Sequence, residues 1–312
     1  MSKSLRTPLT IALSAITLLW IMSAVVSAAP TGLGSPVVIA LTPGDSERPQ
    51  IAYANAITHV VWAEAGWIMH SRNTGLAWTA PISVAQGDDP SLVIDASGTP
   101  HLAFTALISG TVNAYHTRYA GSTWSVPLQV SDGLANTSAP DIAAAPDNSL
   151  TIVWSQNPGR QLRAARSING GTTWPDLAPI VNANGSAPKI AIGADNVTHV
   201  VWQDDTASPF RIKHTQRLTG TWSLIDVLSD ESASAFTPDV TADAAQAHLV
   251  WQQSSSIRYV RGANLNFTAP ITLSTGTASA PAVAAITANT LAAAWDSGIT
   301  ITLRVSTGGI WG

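Results

Sequence analysis

Ile152-Val153-Trp154, followed by Ser167-Ile168-Asn169-Gly170-Gly171-Thr172-Thr173-Trp174, is the segment whose reading decides the fold. An apolar triplet closes on a tryptophan, and 20 residues later a second tryptophan ends a glycine-rich turn. The pair recurs along the chain. The triplets are Val60-Val61-Trp62, Leu102-Ala103-Phe104, Ile152-Val153-Trp154, Val200-Val201-Trp202, Leu249-Val250-Trp251 and Ala293-Ala294-Trp295, with aromatics 42, 50, 48, 49 and 44 residues apart. The second aromatics, 16 to 20 residues after the first, are Trp78, Trp124, Trp174, Trp222, Phe267 and Trp311. Of the 12 tryptophans, ten hold these two positions, so a repeat explains them.

Each unit contains four short apolar runs. The first opens on proline: Pro49-Gln-Ile-Ala, Pro90-Ser-Leu-Val, Pro140-Asp-Ile-Ala, Pro188-Lys-Ile-Ala, Pro238-Asp-Val-Thr and Pro281-Ala-Val-Ala. Proline as the first residue of a strand forfeits no ladder hydrogen bond. The second run carries the triplet, the third precedes the glycine turn, and the fourth follows the second aromatic, as in Pro81-Ile82-Ser83-Val84. Four strands in about 40–50 residues make a propeller blade. The sequence therefore predicts an all-β, six-bladed β-propeller over residues 30–312, with four antiparallel strands per blade. The sixth unit reaches Trp311-Gly312 without a fourth run, whereas Ser35–Leu41 reads as a fourth strand with no unit before it. That N-terminal strand is expected to complete the last blade and remove an open edge.

The turn before the second aromatic carries the pattern S-x-D-x-G-x-x-W, with asparagine for aspartate in Ser71-Arg-Asn73-Thr-Gly75-Leu-Ala-Trp78 and in the 167–174 copy. In this the chain resembles the sialidase-like, Asp-box (BNR repeat) propeller superfamily over essentially everything after residue 30. The resemblance implies the propeller scaffold. It also implies where catalytic parts would stand: an arginine triad, a tyrosine nucleophile with its glutamate, and an aspartate acid/base. Those parts do not map onto this chain. The first-blade Arg-x-Pro signature reads Glu47-Arg48-Pro49-Gln50, the chain has only three glutamates, and the last blade has neither tyrosine nor glutamate.

A net charge of −4 and a pI near 5.9 run against nucleic-acid binding, which leaves a basic footprint. Without cysteine there is no disulfide framework and no thiolate metal site. Residues 1–29 read as a signal peptide or an N-terminal anchor: Lys3 and Arg6, then an apolar run from Leu9 to Val26, then Ser27-Ala28-Ala29. The rest is expected outside the cytoplasm, secreted or at the cell surface, touching membrane only through a retained anchor, and as a monomer.

All seven histidines fall on repeat positions, before the triplet aromatic or before the glycine turn, so the sequence reads them as structural and not as one metal site. Trp67 alone among the later tryptophans is off the repeat. By superfamily geometry, ligands meet the loops between second and third strands and the segments leading into first strands. There stand Arg48, Glu64, Trp67, Asp88, Asp89, Gln203, Asp204, Asp205, Gln252 and Asp296, the candidate ligand-binding residues. Carboxylates and amides beside an aromatic suit sugar hydroxyls; Asp204-Asp205 also has the oxygen chemistry for calcium. No other cofactor is implied. The expected function is a non-catalytic protein that binds a carbohydrate or cell-surface polymer. The alternatives are an exo-acting glycoside hydrolase using two of these carboxylates, and a protein-binding scaffold.

Overall fold

The computed structural model describes residues 37–39, 44–75, 77–218, 220–243, 246–263, 266–274, 276–287, 289–298 and 300–312. Six antiparallel sheets follow one another along the chain, one per repeat unit. The inner strands are Ser46–Ala54, Asp88–Ile94, Thr137–Ala144, Ser186–Ile192, Ala235–Ala242 and Ser279–Thr287, and from blade 1 to blade 6 each packs against the next. The second strands are Ile57–Glu64, Pro100–Ile108, Leu150–Gln156, Thr198–Asp204, Ala247–Gln253 and Thr290–Asp296. The third are Trp67–Asn73, Thr111–Ala120, Gln161–Ser167, Arg211–Arg217, Ser256–Ala263 and Ile301–Thr307. Outer strands vary from Asp176–Asn184 in blade 3 to Asp226–Val227 in blade 4. This is the six-bladed, four-stranded propeller that the repeat predicts.

The triplets build the core because strand side chains alternate between faces. Val153 joins Leu162, Val200 and Trp202 between blades 3 and 4, while Trp154 turns the other way and packs with Ala103 and Ala114 of blade 2. The triplet aromatics of blades 2 to 6 thus seal the junction with the preceding blade. Trp62, Trp154, Trp202 and Trp251 are wholly buried. Ile39 is also buried and packs with Val60 and Trp62 on blade 1, much as Val130, Ile180, Leu228 and Leu273 serve other junctions. Val37–Ile39 carry no strand pairing; Ser35, Pro36, Ala40 and Leu41, the rest of the expected closing strand, lie outside the described residues.

One detail differs from expectation. The prolines do not begin the inner strands; each strand starts two or three residues earlier. Pairing with the second strand breaks at the proline in every blade, as between Ser138 and Asp141. The missing N–H therefore falls in a bulge, where no ladder partner waits for it. The residue before each proline has positive φ: Arg48, Asp89, Ala139, Ala187, Thr237 and Ala280, between 47° and 52°. Non-glycine residues rarely adopt that conformation. Sixfold recurrence marks it as a built-in kink of the repeat.

The histidines are structural, and they come in pairs. Nδ1 of a second-strand histidine shares a hydrogen bond with Nε2 of a third-strand histidine in blades 1 (His59–His70, 3.0 Å), 2 (His101–His116, 3.0 Å) and 4 (His199–His214, 3.1 Å). In blade 5, His248 bonds Tyr259 at 2.8 Å. The third-strand ring then packs edge-on against the turn aromatic of the next blade. His70 meets Trp124, His116 meets Trp174, His214 meets Phe267 and Tyr259 meets Trp311, at centroid distances of 4.8–5.2 Å. Edge-to-face contact between rings at such distances is favourable. Burial holds His59 near pKa 4 and His70, His116 and His199 near 3, so the rings are neutral.

Candidate binding site at the mouth of the channel

The ends of the second strands and the beginnings of the inner strands meet at one face, as the pairing of Ser46 with Glu64 shows. All ten candidate residues lie at that face, in three groups and two outliers.

The first group joins blades 1 to 3. Arg48 Nη1 donates to Asp88 Oδ1 at 2.5 Å, and Arg48 Nε lies 3.2 Å from Asp89 Oδ1. The other Asp89 oxygen accepts from the Ala139 N–H at 3.4 Å. Arg48 and Asp88 are about half exposed. Partial burial pushes the Asp88 carboxyl up, but the hydrogen bonds from Arg48 and the Asp89 N–H prevail and hold it below its usual value. The Asp88 hydrogen bond raises the Arg48 guanidinium in turn.

The second group joins blades 3 to 5. Lys213 Nζ lies 2.5 Å from Asp204 Oδ2, and Arg160 pairs with Asp205. Ser186 Oγ donates to Asp205 Oδ2 at 2.9 Å, and the Thr237 N–H to Gln203 Oε1 at 3.4 Å. Asp204 and Asp205 thus go to separate cations and do not converge on one point. Among the described residues, no cluster of three or more histidines and carboxylates is placed to hold a metal ion. Burial pushes Asp204 up, but Lys213 and Thr206 outweigh it and its pKa falls below the usual value.

The third group is Glu64 and Trp67, opposite each other across a tight hairpin. Glu64 Oε2 accepts from Trp62 Nε1 at 2.9 Å and from Ser46 Oγ at 3.2 Å, while the Trp67 ring is 41% exposed. Gln252 and Asp296 stay apart, bonded to the Ser254 carbonyl and the Gly298 N–H of their own loops.

Sequence reasoning missed the residues that follow the bulge prolines. Asp141, Lys189 and Asp239 face the channel from blades 3, 4 and 5. Asp141 accepts from Ser91 Oγ at 2.7 Å and from the Ile190 N–H at 2.8 Å, and Lys189 Nζ lies 3.8 Å away. Asp239 accepts from the Val283 N–H at 2.8 Å. These carboxylates stitch inner strands across blade junctions. Burial pushes the Asp239 carboxyl up to about 6, against the pull of Lys189. The signal was visible as Pro-Asp, Pro-Lys and Pro-Asp at one repeat position.

Comparison with solved structures fits the same architecture. A protein of unknown function from Dyadobacter fermentans DSM 18053 superposes with a TM-score of 0.61 at 12% identity, over 85% of this chain and 95% of that one. The NanB sialidase from Streptococcus pneumoniae gives 0.58 at 11% identity, over 90% and 70%. The leech intramolecular trans-sialidase gives 0.58 at 9%, over 81% and 65%. The fold is that of the sialidase-like propellers. At these identities the likeness is one of fold alone. No protein-family model matches the sequence, and no curated protein does.

Proposed function

We propose that the chain is an exported, monomeric, non-catalytic propeller that binds a glycan or a polysaccharide-bearing surface at the channel mouth. One observation carries the reading. Five of the six candidate carboxylates at the mouth are engaged by side-chain donors: Asp88 and Asp89 by Arg48, Asp204 by Lys213, Asp205 by Arg160 and Glu64 by Trp62. A glycosidase acid needs a carboxyl held protonated near working pH. Asp88 and Asp204 are shifted the opposite way, and Asp239, which burial pushes up to about 6, is occupied by the Val283 N–H across the junction with blade 6. The last blade also lacks the tyrosine and glutamate of sialidase chemistry. What the mouth offers is a fixed array of donors and acceptors beside an exposed indole, which suits sugar hydroxyls and the apolar face of a pyranose. The sugar-directed names of the structural neighbours, sialidase and trans-sialidase, favour the same ligand class. Export rests on the N-terminal segment read from the sequence.

A glycan array with the native chain and with Arg48→Ala tests the reading. Binding to a defined glycan set, lost in the variant, is expected. No binding to any glycan, or release of sugar from a bound one, overturns it.

A further inference from the structure

Four of the six blades fill the far end of their junction with the next blade by a pair of rings, namely His59–His70, His101–His116, His199–His214 and His248–Tyr259. Strand register puts Thr151 and Ala164 at those two positions in blade 3. A hydroxyl and a methyl replace two rings. At that junction, on the face opposite the mouth, a cavity of about 460 Å³ opens between blades 3 and 4, with Thr151 on its wall. Its size lies within the ~300–1,000 Å³ of small-molecule sites.

The lining defines the ligand class. Two guanidiniums, Arg166 and Arg217, are matched by two carboxylates, Asp147 and Asp195, so the wall carries no net charge to attract an ion. The guanidiniums are held in place. Arg166 Nη2 donates to Ser149 Oγ at 3.0 Å and lies 3.6 Å from Asp147 Oδ2; Arg217 Nη2 donates to Asp176 Oδ2 at 2.7 Å. Trp222, half-buried at the cavity, has the Arg217 guanidinium 5.8 Å from its ring centroid. A charge-balanced ring of fixed donors and acceptors around an indole suits an uncharged polyol better than an anion or an apolar molecule. We propose that this cavity is a second binding site, for one neutral pyranose unit, separate from the mouth.

Saturation-transfer NMR on the full chain, with methyl β-glucopyranoside, methyl β-galactopyranoside and methyl α-mannopyranoside as probes, tests it. At least one pyranoside is expected to receive saturation. Thr151→His with Ala164→His, which installs the ring pair of the other blades, is expected to weaken its affinity tenfold or more while the melting temperature is kept. Arg48→Ala at the mouth is expected to leave it unchanged, so failure of this site and failure of the mouth are told apart. Should the double variant not fold, Arg166→Gln is read the same way. No transfer to any of the three overturns the proposal, as does unchanged affinity in the filled variant, or tighter binding of glucuronate than of every neutral probe.

Discussion

His116 of blade 2 lies flush against Gly171 in the turn of blade 3: a Cβ on Gly171 would stand 2.1 Å from His116 Cε1. Gly171 also has φ +77°, where a side chain is strained whatever the space. The glycine of the turn pattern thus serves the neighbouring blade as well as its own hairpin. Gly171→Ala is expected to destabilise the fold by about 2–4 kcal/mol, strain and clash combined. Chemical denaturation with two optical probes would show the lowered midpoint.

Acid should unfold this protein early. The histidines are neutral in the fold, with His59 near 4 and His70, His116 and His199 near 3, against 6.5 when unfolded. Below pH 6.5 the unfolded chain takes up protons that the fold refuses, so stability drops as pH falls from 6.5 toward those values. Asp239, pushed up to about 6, has the opposite sign: its contribution is lost as pH rises from the usual carboxylate value through 6. One carboxylate opposes seven histidines, and the histidines dominate. A melting temperature lower by more than ~10 °C at pH 5.0 than at pH 7.5 is expected in a scanning calorimeter.

Arg48→Ala should separate binding from stability. Its pairs with Asp88 and Asp89 are solvent-facing, and such pairs contribute up to ~1 kcal/mol. Alanine already stands at the same positive φ in blades 3, 4 and 6, at Ala139, Ala187 and Ala280. The expected result is a melting temperature within about 3 °C of the native chain and at least tenfold weaker glycan binding by calorimetric titration.

The two kinds of tryptophan should answer oppositely to truncation. Trp202 is wholly buried among Val153, Leu162 and Val200, and Trp202→Ala is expected to cost about 3–5 kcal/mol. Trp67 is 41% exposed at the mouth, and Trp67→Ala is expected to cost under ~1 kcal/mol while weakening ligand binding. Urea titrations of both variants beside the native chain make the comparison.

The fold was legible because the blades repeat one physical solution: Val153-Trp154 and its counterparts in blades 2, 4 and 5 alternate between two junctions, and that alternation prints itself as an apolar triplet ending in an aromatic ring. The bulge prolines were visible, but their place inside the strand was not, since the kink at Ala139 depends on where pairing with Ser155 stops and resumes. The mouth was half legible. Loop position put Arg48, Asp88 and Asp89 at one face, but only geometry shows that they form one cluster while Gln252 and Asp296 stay with their own loops. Asp141 and Asp239 were passed over because candidates were sought in the loops and in the segments leading into first strands, and these two stand within the strands. The histidine pairs were hidden because His59 and His70 belong to two different repeat positions, and register alone makes them partners.

The stacking of His70 on Trp124, His116 on Trp174, His214 on Phe267 and Tyr259 on Trp311 always runs the same way, from one blade to the one after it. The propeller therefore has a grain. A blade that frays uncovers the turn aromatic of its successor and leaves that of its predecessor clad, so these ring contacts favour forward spread even though the triplet aromatics couple blades 2 to 6 backward. Blade 3 offers blade 4 no such ring, and at that seam the apolar packing of Val153 and Leu162 on Val200 and Trp202 couples the two blades without it.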